Sequence, residues 1–367
     1  MIKTMIFHHP QPVYESGFSG SSVRPYQMIK AFKRIGYEVE EVAGSGARRK
    51  EAISKIKDEL REGKKYCFIY SESSTMPSAL TEKHHLPLYI SLDNSFLGWA
   101  NSHEIPIGLF YRDIYWMFDI YKKSIKFHKY YAALPFYYYD LICYSKCAQV
   151  IFLPSLTMKE ALPTWFNSRT RFEELPPGTT AMFSSNKPSN MVKMIYVGGI
   201  KPPLYDLTPL FKLASTISDQ QKFEINLVCR EEEWEIFNNF YKPFLTPYIK
   251  ILHKSGDNLA SVYEDADIFV LLRGKHEYLR FVMPVKVFEA ISYGKPIITN
   301  NHTEVARFVE REDIGWVVNS IDEAKELLLN ILADPKMLEE KKQKVFKAAE
   351  KHTWINRAKK VADVLVK

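Results

Sequence analysis

Two successive series of short apolar runs, each separated from the next by a stretch of helical period, constrain this chain more than any other feature. In the first half the runs are Thr4–His8, Glu38–Val42, Tyr66–Tyr70, Leu86–Ser91, Ile105–Tyr111, Gln149–Leu153 and Arg171–Leu175. The second series is Lys193–Val197, Glu224–Cys229, Ile249–Leu252, Ile268–Leu272, Pro296–Thr299 and Gly315–Val318. Short segments that are apolar nearly throughout read as strands buried on both faces, which belong to parallel sheets covered by helices. The stretch Val23–Ile35 shows the helical partner, with Val23, Met28, Ala31, Phe32 and Ile35 on one face. The pattern predicts an α/β protein built from two doubly wound, Rossmann-like domains. Ligands of such sheets bind beyond the carboxyl ends of the strands, so two facing domains would hold a ligand in the cleft between them.

The series breaks at Pro176-Pro177-Gly178 and resumes after Ser184-Ser185-Asn186-Lys187-Pro188-Ser189-Asn190, a composition suited to a linker. With 367 residues there is room for two cores. The expected division is 1–176, a linker over 177–190, a second domain over 191–350, and a C-terminal helix over 351–367 that can cross back to the first domain. Helices are expected at Asp322–Leu332, Pro335–Glu350 and Trp354–Val366.

The most informative stretch for function is 281–318. Pro284 suits a helix start, and Val285, Val287, Phe288, Ala290 and Ile291 behind it mark a helix that is apolar nearly all round. Against that background Lys286, Glu289 and Tyr293 form one polar stripe. Gly294 allows a left-handed stop before Lys295-Pro296 and the β-branched run Ile297-Ile298-Thr299. The free N–H groups and positive dipole of such a helix start favour a diphosphate. Lys286 adds charge, and Glu289 can accept from both hydroxyls of a ribose. An ordinary solvated Lys–Glu pair is the alternative.

A formal charge of +7 favours anionic partners. No arginine-rich tract, zinc-finger spacing or stacking motif points to nucleic acid. Cys67, Cys143, Cys147 and Cys229 form no CxxC pair, and Cys143/Cys147 has helical spacing, so a reducing compartment is expected. The chain opens directly into a strand, and no apolar run approaches the roughly 20 residues of a membrane-spanning helix. These features predict a cytoplasmic protein.

Taken together, Tyr196-Val197-Gly198-Gly199, Pro284-Val285-Lys286-Val287-Phe288-Glu289-Ala290, Gly294-Lys295-Pro296 and Thr353-Trp354-(x)2-Arg357-Ala358 carry a resemblance. The loop Ser16-Gly17-Phe18-Ser19-Gly20-Ser21-Ser22 and Leu175-Pro176-Pro177-Gly178 add to it. The chain resembles the GT-B glycosyltransferases, in particular the retaining family-4-like branch of bacterial surface-polysaccharide enzymes. The resemblance implies an acceptor-binding first domain and a second domain that binds a UDP-sugar or GDP-sugar donor, with no further cofactor. It also implies that Glu289 holds the ribose, that Gly198 and Gly199 admit backbone to the diphosphate, and that Gly17 and Gly20 meet the donor from the first domain.

Departures from the family pattern shift the expected charges. A family Glu eight positions before Glu289 is replaced by Phe281, and an Arg and a Lys near the glycine turn by Gly199 and Tyr205. Lys286, then Arg273 and Arg230, each just past a predicted strand, are the substitute cations, and with them no metal need bridge the phosphates. In the first half, Arg112-Asp113 follows the run Ile105–Tyr111 where the family has His-Asp. Arg112 is expected to stabilise the departing phosphate and Asp113 to orient the acceptor hydroxyl, while a local cap is the alternative. Asp93 is a weaker candidate of the same kind.

Residues 116–143 mix Lys122, Lys123, Lys126 and Lys129 with many aromatics. Lys122, Lys126 and Lys129 fall on one helical face, which makes an anionic membrane surface, with a glycan or lipid-linked acceptor, a candidate partner. Burial of the aromatics is the other reading. The expected activity is transfer of a sugar to a hydroxyl with retention. A non-catalytic nucleotide-sugar binder or partner subunit of the same fold is the second reading, kept open by Phe281 and Arg112.

Overall fold

Both apolar series form six-stranded parallel sheets. The structure is a computed structural model and describes residues 3–15, 20–168, 170–180, 191–216, 222–256 and 258–366. The first sheet contains β1 (Lys3–His9), β2 (Tyr37–Ala43), β3 (Ile69–Glu72), β4 (Ile107–Phe110), β5 (Val150–Leu153) and β6 (Phe172–Glu174). Its order is β2-β1-β3-β4-β5-β6, so the winding reverses between β1 and β3. The second contains β7 (Val192–Val197), β8 (Phe223–Val228), β9 (Ile249–Leu252), β10 (Ile268–Leu271), β11 (Ile297–Asn300) and β12 (Gly315–Val318). Its order is β12-β11-β10-β7-β8-β9, with the reversal between β7 and β10. Every described strand pairing is parallel, and β3, β4, β5 and β10 are buried along their whole length.

The chain divides into two compact units, Met1–Pro177 with Trp354–Lys367, and Gly178–Thr353. In the first unit the helix Trp354–Leu365 packs on the helix Gly20–Arg34. Trp354, Ala358, Val361, Ala362 and Leu365 join Met28, Ala31 and Phe32 in one apolar cluster. In the second unit the two ends of the segment run side by side. Thr179 N–H donates to the His352 carbonyl (2.9 Å), and Thr179 pairs with Thr353 in a parallel bridge.

Right-handed crossovers place the second unit's helices on defined faces. The helix Thr208–Thr216 joins β7 to β8, moving toward one edge, whereas Val285–Ser292 joins β10 to β11, moving toward the other. The two helices therefore cover opposite faces of the sheet. Consistent with this, Ile321–Ala333 packs on the first and Pro335–Lys351 on the second.

The helix Val285–Ser292 buries Val287, Phe288, Ala290 and Ile291, each large side chain contributing about 1.5–3 kcal/mol. Pro284 is the residue before the helix rather than inside its first turn, with extended ψ of 142°. Gly294 ends it at φ +70°, and a Cβ there would lie 2.3 Å from the Phe346 ring. Gly315 is required by close approach instead, because a Cβ would sit 1.9 Å from the Ile297 carbonyl oxygen of the neighbouring strand.

Several expectations change. Leu86–Ser91 is not a strand: Leu86, Leu88 and Ile90 are exposed and the segment is a run of turns before the helix Leu92–Ser102. The third strand starts at Ile69, later than Tyr66, and runs on to Glu72. The basic-aromatic stretch is two helices, Asp119–Ser124 and Phe127–Cys147, parted by extended residues at Ile125 and Lys126, so Lys122, Lys126 and Lys129 do not share one helical face. Gly17 lies outside the described residues, as does 181–190 of the expected linker, while Gly20 opens the first helix. All four cysteines are free, and burial pushes the Cys229 thiol up to about 12.

Candidate functional site

In the second unit, the winding reversal between β7 and β10 is where an open α/β sheet receives a ligand. The loop after β7 carries Gly198 and Gly199, and the helix after β10 carries Lys286 and Glu289. Lys286 Nζ donates to Glu289 Oε2 at 2.6 Å, with both side chains about one-quarter exposed. The pair is thus neither buried in the core nor free in solvent. Tyr263 supports the carboxylate from the helix Asn258–Asp265, donating to Glu289 Oε2 at 3.4 Å, and burial pushes its phenol well above the usual range. Tyr293 completes the polar stripe by stacking on Tyr263, with centroids 4.9 Å apart and planes at 4°. Among the described residues no side chain caps the N-terminus of this helix, and its first N–H groups can meet an anion.

The glycine turn makes its close approaches to side chains. A Cβ on Gly198 would lie 3.0 Å from the Tyr196 hydroxyl, and one on Gly199 3.3 Å from Glu233. Tyr196 donates to the Gly199 carbonyl (2.6 Å), and Ile200 N–H to Glu233 Oε2 (3.0 Å). Arg230 precedes the helix Glu231–Tyr241 and is exposed. Arg273 is buried and lines a cavity whose wall contains none of Gly198, Gly199, Lys286 and Glu289. Phe281 is buried against Tyr278, with ring centroids 5.1 Å apart.

In the first unit, the carboxyl ends of β1, β3 and β4 converge on a buried polar cluster. Glu72, fully buried, accepts from Arg24 Nε at 3.2 Å, Tyr70 hydroxyl at 2.9 Å and Arg112 Nη2 at 3.0 Å. The Arg24 guanidinium lies 3.5 Å over the Phe110 ring and 5.8 Å from that of Trp354. Trp354 of the closing motif thereby covers this ion pair, and Arg357 Nε donates to the Pro177 carbonyl (3.2 Å). Arg112 is pinned further through its backbone N–H to Ser73 Oγ (3.0 Å) and its Nε to the Ser73 carbonyl (3.2 Å). Burial lowers its pKa, opposed by Glu72. Asp113 accepts from Tyr115 N–H at 2.9 Å, closing a local turn. Arg112 and Asp113 are adjacent in sequence but engaged in different local structures.

A second arm of the cluster joins His8, Asp93 and Arg49. Asp93 accepts from His8 Nε2 at 2.8 Å and from Arg49 Nη2 at 3.1 Å. Its carboxyl is held below the usual range because burial, which acts upward, is outweighed by His8 and Arg49. Since the carboxylate only accepts, Nε2 carries a proton, and His8 Nδ1 is hydrogen-bonded to the Ser71 hydroxyl at 2.8 Å. His9 donates from Nδ1 to the Glu72 carbonyl at 2.9 Å. Burial, then the Arg112 charge, push its pKa down to about 3, so it is a neutral imidazole whose Nε2 can accept a hydrogen bond. Sequence reasoning missed His8, His9, Glu72, Arg24 and Arg49, and placed Asp93 after a strand that does not exist. Among the described residues no three His, Cys, Asp or Glu side chains group as a metal site.

This architecture is the GT-B glycosyltransferase fold. Sucrose-phosphate synthase from Thermosynechococcus elongatus matches with a TM-score of 0.63 at 13% identity, covering 99% of this chain and 98% of that one. HepE from Anabaena, solved with UDP and glucose, matches with a TM-score of 0.63 at 11% identity, over 99% of each chain. WaaG, a glycosyltransferase involved in lipopolysaccharide biosynthesis, matches with a TM-score of 0.58 at 12% identity, over 98% of this chain and 99% of that one. Residues 271–357, nearly all in the second unit, match the family described as glucosyltransferase 3-like, C-terminal domain. No curated protein sequence matches the chain.

Proposed function

We propose that the chain is a glycosyltransferase that takes a sugar from a nucleotide-diphosphate donor and delivers it to a hydroxyl of a glycan or lipid-linked acceptor, with retention at the anomeric carbon. The observation that carries this reading is the Lys286–Glu289 pair, set on an otherwise buried helix just after the winding reversal of the second sheet. Glu289 accepts from the ribose hydroxyls, and Tyr263 keeps its carboxylate from turning away. The diphosphate takes the uncapped helix start and Lys286, which meet the charge that grows as the sugar–phosphate bond breaks. The neighbour HepE, solved with UDP and with UDP-glucose, supports the choice of donor class. Gly198 and Gly199 shape the loop beside this site, and the exposed Arg230 is a further cation for the nucleotide.

The first unit handles the acceptor in this proposal. Arg112 and Asp113 act as positioning residues, Arg112 through Glu72 and Asp113 through its turn, while His9 Nε2 accepts from an incoming hydroxyl. The second reading, a nucleotide-sugar-binding subunit without turnover, is favoured by Phe281, which fills with an apolar ring the position of a family carboxylate. Thermal-shift screening of UDP, GDP and their sugars separates ligand from non-ligand, because a ligand selective for the native state raises the melting temperature. A rise with one nucleotide diphosphate, together with slow hydrolysis of its sugar, is expected. No rise with any of them removes the proposal, and a rise without hydrolysis in the presence of acceptors selects the second reading.

An anionic membrane surface is proposed as a partner of the segment 119–131. Lys122, Lys123, Lys126 and Lys129 are exposed there beside exposed Phe127 and Tyr131, whereas Trp116, Tyr137 and Tyr144 are buried. Among the described residues no helix is long and apolar enough to cross a membrane, so contact would be at the surface. Sedimentation with phosphatidylserine-containing vesicles at low salt is expected to carry the protein down. Protein left in the supernatant would exclude this surface.

A further inference from the structure

A cavity of about 360 Å³ opens in the second unit beside Arg273, Gly274 and Lys275, which follow β10. It is completed by Asp206, just before the helix Thr208–Thr216, by Thr208 and Lys212 within it, by Asn300 at the end of β11 and Asn301 after it, and by Ser320 at the start of Ile321–Ala333. Those two helices lie on the face of the sheet opposite Val285–Ser292, and the cavity wall contains neither Lys286 nor Glu289.

Arg273 is the observation that needs a ligand. It is only 5% exposed, its Nε has no hydrogen-bond partner among the described residues, and no carboxylate there pairs with its guanidinium. The aromatic side chains beside it are the Tyr205 ring, 6.0 Å away, and the Tyr196 phenol, whose pKa its charge lowers against the effect of burial. The backbone that carries it is held in place. Arg273 N–H donates to Asn300 Oδ1 (3.2 Å), Asn300 Nδ2 donates back to the Arg273 carbonyl (3.0 Å), and Gly274 N–H donates to the Asp206 carbonyl (2.7 Å). A buried cation without an anion is costly, and the cost is relieved when an anion enters.

We propose that this cavity binds a phosphorylated, hydroxyl-bearing small molecule. Three cations, Arg273, Lys212 and Lys275, face one carboxylate in its wall. The guanidinium fork matches a phosphoryl group. Asp206 selects for hydroxyls. Its Oδ1 already accepts from Thr208 N–H (2.9 Å) and Oγ1 (2.6 Å), which fixes the carboxylate so that Oδ2 can accept from the ligand. The volume suits a ligand about the size of a monosaccharide phosphate. This site does not depend on the donor assignment.

Calorimetric titration of the full chain with inorganic phosphate, glucose 6-phosphate, glucose and UDP tests the proposal. Phosphate and glucose 6-phosphate are expected to bind, the latter more tightly, and glucose not to bind. UDP should leave that binding unchanged. Arg273→Gln is expected to weaken phosphate binding by roughly tenfold or more, yet to melt no lower than the parent in phosphate-free buffer. An arginine with a merely structural role would instead lower the melting temperature. Should Arg273→Gln fail to fold, that argument is overturned too, and Lys212→Gln then reads the phosphate contact alone. Absence of phosphate binding at millimolar concentration, undiminished binding by the variants, or displacement by UDP would each overturn the proposal.

Discussion

Glu72→Ala is expected to leave the first unit unfolded at ambient temperature. The Glu72 carboxylate is fully buried and is shared by Arg24, Arg112 and Tyr70. Deleting it strands two buried guanidinium groups, and breaking one such pair already costs about 3–5 kcal/mol. Two exceed or equal the whole stability of many domains, which is about 5–15 kcal/mol. Glu72→Gln keeps the shape but not the charge, and should destabilise nearly as much. Adding Arg24→Met and Arg112→Leu to Glu72→Ala should recover much of the loss, because apolar replacement of a complete buried ion cluster is tolerated where removal of one member is not. Circular-dichroism melts of the three variants decide the matter. A single Glu72→Ala variant that melts within a few degrees of the parent would show that the cluster is hydrated, contrary to this account.

Glu289→Ala should do the reverse, sparing the fold and removing donor binding. Glu289 is about one-quarter exposed, and its loss frees only the ammonium of Lys286 and a long hydrogen bond from Tyr263. Surface pairs of this kind are worth about 0–1 kcal/mol. Two hydrogen bonds from a ribose to a carboxylate are worth far more, about 1.5–3 kcal/mol each, so nucleotide affinity should fall roughly a hundredfold or more. Glu289→Gln, which keeps an acceptor oxygen, should fall in between. Nucleotide affinity by calorimetry and melting temperature are read on the same samples. Unaltered affinity in Glu289→Ala would move the donor site elsewhere.

Much of the fold was legible because strands of a covered parallel sheet must be apolar on both sides. Gln149–Leu153 and Ile268–Leu272 match β5 and β10 to within one residue for that reason. Leu86–Ser91 has a similar apolar content, yet Leu86, Leu88 and Ile90 point to solvent. Composition tells which residues would gain from burial, and it cannot say whether another element arrives to cover them. The Lys286–Glu289–Tyr293 stripe was readable because polar residues on an oily helix are conspicuous. The cluster in the first unit was not. His8 and Asp93 are 85 positions apart and Arg49 and Asp93 are 44 apart, so only the sheet topology brings them together. Arg24 and Arg49 also lie in helical stretches rich in Lys and Arg, where a buried guanidinium looks like one more solvated charge.

The helix Trp354–Leu365 belongs to the first unit although the entire second unit precedes it in the chain. On the ribosome, which releases polypeptide from the N-terminal end, Met28, Ala31 and Phe32 can meet Phe68 and Tyr70 early, but lack the layer supplied by Trp354–Leu365 until residue 365 emerges. Gly178–Thr353 meets no such delay, since all its strands are contiguous. Synthesis thus favours completion of the later-encoded half first, and any truncation before Trp354 would deprive the earlier half of its closing layer.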